Sequence, residues 1–433
     1  VSVAESPVGP VLVADPLPEP PERLPAAPAP VRRLWTWLAV AAALRVAILP
    51  HGGFPSDIAS FKAWAATLAE HGPRGFYGRG FADYLPGYLY VLWGVGELTA
   101  ALRLNDAAAL FLLKLPAALA DLIGAAVVLR LARRFLPEAG AVTVAVLYLL
   151  HPALLFTTAY WGQADSVGGL LAVATLGLAL GDHPLAWGAA ALAVLVKPQT
   201  APLLGVLGVL LLRRTLWPPE RPPAFRPQPG PVAAALPLLL ATAALVAAPF
   251  GVGLLGLLHL LRRAAEVYPY GSVMAFNLWG AVQGFWQSDL TPVAGWPPLL
   301  WGIALTAVAQ AAVLWTVWRR PDERTVVTGA ATALAAAFLL PTRIHERYLV
   351  PALPFLLAAG ATDRRVRLPV GLLSLVLTLN LLYAYTRPYL QTVTLPGWLE
   401  ATLFSPPATR VLSALAVATL PLLLRALVLP PRS

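Results

Sequence analysis

Six short polar stretches interrupt an otherwise apolar chain, and they hold the side chains best suited to chemistry. In FPSDIASF, Asp57 is an isolated acid. An ionised carboxylate at the mouth of a cavity can take the proton from an attacking hydroxyl, and an ordinary aspartate pKa of about 3.9 leaves it ionised at neutral pH. Ser56 or Asp57 also suits the N-cap of the amphipathic run IASFKAWAATLAE, and the two roles stand together. In DYLPGY, Asp83 and Tyr84 precede Pro86 and Gly87, which re-aim the chain. Their aromatic neighbours could stack on a sugar face or form an interfacial belt, the second reading fitting Tyr90 and Trp93 best.

In WGQADS, Gln163 and Asp165 beside Trp161 offer hydroxyl-bonding groups next to an apolar plate, although Asp165 or Ser166 would equally cap a helix. Lys197 and Gln199 in KPQ separate two apolar segments, where a lysine has little room to snorkel. A cation there is a functional candidate, with a lipid phosphate as its natural partner. Arg343, His345 and Arg347 in PTRIHERY read as a phosphate clamp, because guanidinium supplies directed donors to phosphate oxygens. The alternative is a salt-bridged loop in which Glu346 consumes one arginine. Within residues 259–280 an amphipathic run leads to an aromatic loop, where Asn277 is a candidate substrate-facing group.

These stretches must be positioned by membrane helices. The 433 residues are 58% hydrophobic and 12% charged, half the charge of a typical soluble domain. Mean hydropathy is +0.70. The expected fold is an all-α polytopic membrane protein of about 12–13 spans, with a long first outer loop carrying short juxtamembrane helices. Net charge is +10, yet the arginines sit in clusters between apolar runs. That is the positive-inside pattern, and it excludes nucleic acid as a partner. Without cysteine there is no disulfide, thiolate or Cys-ligated metal.

Arg130/Arg133/Arg134, Arg213/Arg214, Arg319/Arg320/Arg324 and Arg364/Arg365/Arg367 are all expected in the cytoplasm, as is the N-terminus. Residues 51–83, WGQAD, KPQ and HERY then share the outer face. Alternation fails by one between residues 84 and 134, so either 84–103 does not fully cross, the reading favoured by Pro86-Gly87 and Glu97, or one arginine cluster breaks the rule. Residues 1–30, with nine prolines, read as a disordered cytoplasmic tail. Residues 31–213 form an N-terminal membrane module with the catalytic loop 51–83. A Pro/Arg linker, 214–230, precedes a C-terminal module, 231–433, with outer loops 251–296 and 342–348. No convincing internal repeat is detected.

The ordered set of Asp57, DYLP (83–86), WGQAD (161–165), KPQ (197–199), YPYGSVMAFNLW (268–279) and HERY (345–348) resembles the GT-C superfamily of membrane glycosyltransferases. It is most similar to bacterial polyprenyl-phosphate-mannose-dependent mannosyltransferases, over roughly residues 34–390. The resemblance implies a plasma-membrane enzyme of the cell envelope that transfers one sugar, mannose in first place, from a polyprenyl-phosphate donor. The acceptor would be a lipid, glycan or protein. By that analogy Asp57 is the general base and anomeric configuration inverts. His345, Arg347, Arg343 and Lys197 hold the donor phosphate, while Asp83, Tyr84, Gln163, Asp165, Gln199 and Asn277 contact sugar or acceptor. Asp57 is followed by Ile58 rather than a second acid, so no cofactor and no metal is expected. A transporter or flippase for a lipid-linked sugar is the alternative.

Overall fold

The computed structural model describes residues 29–218, 226–387 and 395–429. The proline-rich tail up to residue 28 and part of the expected linker, 219–225, lie outside the described residues. Among the described residues the regular structure is helical, with isolated β-bridges and no strand. Ala- and Leu-rich sequence favours helix, and in lipid the helix satisfies its own backbone hydrogen bonds.

In chain order the helices are α1 (Ala29–Ile48), α2 (Pro55–His71), α3 (Pro86–Ala101), α4 (Asp106–Ala132), α5 (Glu138–Leu149) and α6 (Pro152–Leu155). A π-helical segment, Phe156–Trp161, continues α6. Then come α7 (Asp165–Leu180), α8 (Ala186–Val196), α9 (Pro202–Thr215), α10 (Pro229–Ala247), α11 (Leu254–Glu266) and α12 (Leu278–Val282). The series ends with α13 (Pro298–Arg319), α14 (Glu323–Leu339), α15 (Leu353–Thr362), α16 (Arg364–Thr386), α17 (Gly397–Ala401) and α18 (Pro406–Val428).

The protein is an all-α polytopic membrane protein. Five helices among the described residues are long and apolar enough to cross a bilayer: α4, α10 extended to Phe250, α13, α16 and α18. The pair α5 and Pro152–Trp161, bent by 40°, adds a sixth if taken as one span. The apolar helices α7, α8 and Val350–Thr362 are shorter. At 1.5 Å per residue the 16 residues of α7 reach roughly 24 Å, short of a ~30 Å hydrocarbon core. By length and apolarity, five or six helices among the described residues qualify as full spans, beside these shorter apolar segments.

Two ends of the bundle are distinguishable by chemistry. At one, the arginine clusters meet each other's helix ends: Arg134 pairs with Glu323, and Arg214 bonds Asp182 at 2.8 Å and the Leu180 carbonyl at 3.1 Å. Arg213 stacks over Trp318, and Arg320 bonds the Leu427 carbonyl. Asp322 and Asp363 cap α14 and α16 at that end, accepting from Thr325 N and Arg365 N. The polar motifs collect at the other end.

Helices α2 and α3 pack as a hairpin at the polar end. Helix α1 arrives there at His51, and α4 starts there, with Lys62 of α2 bonded to Asp106 at 3.1 Å. Helix α4 then runs to Arg130 and Ala132 at the arginine end. The chain between His51 and Asp106 therefore begins and ends at the polar end, with α3 folded back along α2. The hairpin closes tightly at Gly96, where an added Cβ would fall 2.1 Å from the Ala65 carbonyl oxygen.

Candidate active site

Asp57 is the third residue of α2. Phe54 occupies the N-cap position without a side-chain cap bond, and Pro55 opens the helix. Neither Ser56 nor Asp57 therefore stands at the N-cap. Asp57 Oδ2 accepts a hydrogen bond from Trp161 Nε1 at 2.8 Å and another from Gln163 Nε2. The positive end of the α2 dipole further favours its charge. The Phe54 N–H donates to the Trp161 carbonyl at 3.0 Å, and their rings stack at 4.7 Å. The WGQAD turn is thus the seat on which the start of α2 rests.

A hydrogen-bonded chain runs on from Asp57. Gln163 Oε1 accepts from the Tyr84 hydroxyl at 3.0 Å, and that hydroxyl accepts from Lys197 Nζ at 2.9 Å. Four expected residues, 57, 84, 163 and 197, are thereby joined from four separate stretches. Lys197 sits where α8 ends in extended backbone, with Asp165 Oδ2 at 3.4 Å. Burial pushes the Lys197 ammonium below its usual pKa, and Asp165 works against that shift. Asp165 is fully buried and sits behind Lys197 and Arg347, its Oδ2 3.9 Å from Arg347 Nε.

The HERY loop is laced to the loop after α11. The Arg343 N–H donates to the Tyr270 carbonyl at 2.9 Å, and Ser272 bridges Ile344 in parallel sense. Arg343 has φ +64°, uncommon for a residue with a Cβ. Its guanidinium Nε is held 2.6 Å from buried Asp289. Arg347 donates to Glu346 Oε1 at 2.8 Å and lies 5.9 Å over the Trp161 ring. Both arginines of the expected clamp thus have carboxylate partners. Nothing local in the sequence pairs Asp289 with Arg343, 54 positions on. The bond between Arg347 and Glu346 was the salt-bridge alternative for this loop.

Burial, with Arg347 and Lys197 nearby, pushes the His345 pKa well below its usual value. Its imidazole is neutral at pH 7, packed edge-on to Tyr268 at 4.7 Å. Burial likewise raises Asp83 and Glu346, with Arg347 opposing the rise in each. Burial opposes the charge of Arg347 too, but Asp57, Glu346 and Asp165 outweigh it and hold its pKa well above the usual value.

These groups surround one cavity of about 770 Å³. Asp57, Asp83, Tyr84, Gln163, Lys197, Gln199, Arg343, His345 and Arg347 all line it. Leu261, Ala264, Ile303 and Leu334 supply an apolar wall. Asp165 and Asn277 do not line it. Asn277 spends its amide capping α12 through Trp279 N and Gly280 N and donating to the Pro341 carbonyl. Trp161, Tyr268, Glu346 and Tyr348 also line the cavity. Among these, Trp161 carries the bond to Asp57, and its place inside WGQAD was the available signal. Among the described residues no three His, Cys, Asp or Glu side chains gather in a way that could hold a metal ion.

The chain matches no family model and no curated protein. Among solved structures it is similar to the apo form of the Archaeoglobus fulgidus oligosaccharyltransferase, at 14% identity and a TM-score of 0.46, over 91% of this chain and 56% of that one. It is also similar to the oligosaccharyltransferase AglB from the same organism, in complex with an inhibitory peptide and a dolichol-phosphate, at 16% identity and a TM-score of 0.39. That match covers 92% of this chain and 56% of the other. The chain spans a little over half the length of these structures.

Proposed function

We propose that this protein is a membrane glycosyltransferase of the GT-C kind, moving one sugar from a polyprenyl-phosphate donor to an acceptor hydroxyl by a single inverting displacement. The observation that carries the reading is the shared cavity. It gathers a hydrogen-bonded carboxylate, a buried lysine, an arginine and a neutral histidine from stretches nearly 300 residues apart, beside an apolar wall. Asp57 takes the acceptor proton as the new C–O bond forms at the anomeric carbon. The bond to the phosphate oxygen breaks, and polyprenyl phosphate leaves with its charge met by Arg347, Lys197 and His345. Arg343 is committed to Asp289 and contributes through the loop it holds. The pockets formed by Asp83, Tyr84, Gln163 and Gln199 belong to sugar and acceptor, and the apolar wall to the first isoprene units.

The reaction is proposed to be metal-independent. Supporting that, the two hydrogen-bond donors identified on Asp57 come from Trp161 and Gln163, and the cavity has its own cations for the leaving group. The two-module division belongs to the same proposal: residues 31–213 supply Asp57, Asp83, Gln163 and Lys197, and residues 231–433 supply the HERY loop. The site is proposed to face outward from the plasma membrane.

The test is to reconstitute the protein in nanodiscs and offer polyprenyl-phosphate mannose, glucose or arabinose, each labelled in the sugar, with a crude glycolipid and glycan fraction. Label leaving the polyprenyl phase, fastest from mannose, is the expected result. Label that crosses a proteoliposome bilayer while staying on its lipid would overturn the enzyme reading in favour of transport.

A further inference from the structure

We propose that Lys114 is a positioning residue for Asp57, an inference that rests on the glycosyltransferase reading above. Lys114 lies two turns into α4, fully buried. Its ammonium donates to three backbone carbonyls: His51 at 2.6 Å, Tyr160 at 3.0 Å and Ala159 at 3.2 Å. Three protons and three acceptors make a saturated set. Burying a cation in an apolar bundle is costly, and such a group is retained where something depends on it.

The three carbonyls identify what depends on it. Ala159 and Tyr160 close the π-helical segment Phe156–Trp161, where the last carbonyls lack intrahelical partners and the helix end attracts a cation. His51 begins the turn that leads from α1 into α2. Lys114 therefore fastens the approach to α2 onto the approach to the WGQAD turn. These are the two segments that meet in the Phe54–Trp161 backbone bond and in the bond from Trp161 Nε1 to Asp57 Oδ2. Asp57 lies six positions after His51, and Tyr160 adjoins Trp161, so the pin lies close to the contact it governs.

Gly162 fits the same purpose. Its φ is +91°, and an added Cβ would stand 3.2 Å from the Lys114 stem and 2.8 Å from Ile58 of α2. Only a glycine lets the turn close over the lysine at that distance. Lys114 does not line the cavity. Its effect reaches the reaction through the placement of Asp57 and leaves donor contacts untouched.

Lys114→Met keeps the stem and removes the donors, and Lys114→Gln restores part of them. Each is compared with wild type in nanodiscs for melting temperature, for binding of polyprenyl-phosphate mannose, and for single-turnover label release per donor-binding site. The expected result for Lys114→Met is donor affinity within about twofold and a rate per site lowered about 10²-fold, the scale of a 1 Å misplacement. Lys114→Gln falls between. A second reading comes from Trp161→Phe, which lacks the indole N–H. In that background Lys114→Met costs less than in wild type, because both changes act through one contact. A lysine that only stabilises the bundle lowers the melting temperature and the number of binding sites, leaves the rate per site unchanged, and multiplies independently with Trp161→Phe. Either of those last two results overturns the proposal. If Asp57→Asn keeps its turnover, the glycosyltransferase reading itself has failed. If Asp57→Asn is inactive and Lys114→Met turns over normally per site, only the positioning role has failed.

Discussion

Replacing Asp57 by Asn separates chemistry from architecture at this site, and the structure sets the size of each effect. In the native protein Oδ2 accepts from Trp161 Nε1 and Gln163 Nε2. The Asn side chain keeps an oxygen in that place, so both donors stay satisfied and only the charge assistance is lost. That is about 1 kcal/mol for each bond, or ~2 kcal/mol together, which corresponds to a few degrees of melting temperature in a chain of this size. Phe54, not Asp57, holds the N-cap position, so no cap is lost. An amide cannot take up the acceptor proton, and loss of a general base costs 10²–10⁴-fold, about 3–5 kcal/mol of barrier. The assay is single-turnover release of label from polyprenyl-phosphate mannose, with donor binding and melting measured on the same preparation. Turnover is expected to fall at least a hundredfold with donor affinity retained. Asp57→Ala, which strands two donors, should lose as much turnover and ~1–3 kcal/mol more stability for each buried donor left without an acceptor. Turnover in Asp57→Asn within tenfold of wild type would refute the base assignment.

Arg347→Lys keeps the charge but loses the planar fork that faces Glu346 and Asp165; donor binding is expected to weaken about ten- to a hundredfold, the worth of one charge-assisted bond, and an unchanged dissociation constant in both Arg347→Lys and Arg347→Ala removes Arg347 from the phosphate site. His345 is held neutral in the free cavity, and an incoming phosphate raises its pKa, so donor binding is expected to take up protons and to tighten as pH falls from 7.5 towards 6. Calorimetry in buffers of different ionisation enthalpy reads this directly, and a buffer-independent enthalpy at pH 6 refutes it. The sign for stability is opposite: with the folded pKa below the unfolded one, the empty protein loses stability as pH falls through about 6.5. Single cysteines can be placed in this cysteine-free chain, and an impermeant thiol reagent on intact cells is expected to label Arg74→Cys and spare Arg324→Cys. The reverse pattern overturns the proposed orientation.

Hydropathy and the spacing of arginine clusters were enough to read an all-α membrane bundle with its polar motifs at one end, because the bilayer imposes these requirements on each segment separately. The motifs could be found for the same reason: Asp57, Lys197 and the HERY loop stand out as charges among apolar runs. What those charges touch was not legible. Helix propensity made Asp57 a plausible cap, yet its partners lie 104 and 106 positions away. Asn277 and Asp165 had the right chemistry for a pocket and are turned to other uses behind it. Arg343 read as part of a phosphate clamp, and the carboxylate against it, Asp289, lies 54 positions away in the sequence. Lys114, inside an apolar helix, gave no local sign of binding three carbonyls from two distant turns. Local sequence determines which groups a segment carries and which helices it forms. Which groups meet depends on close packing between helices remote in sequence, and only the folded bundle decides that.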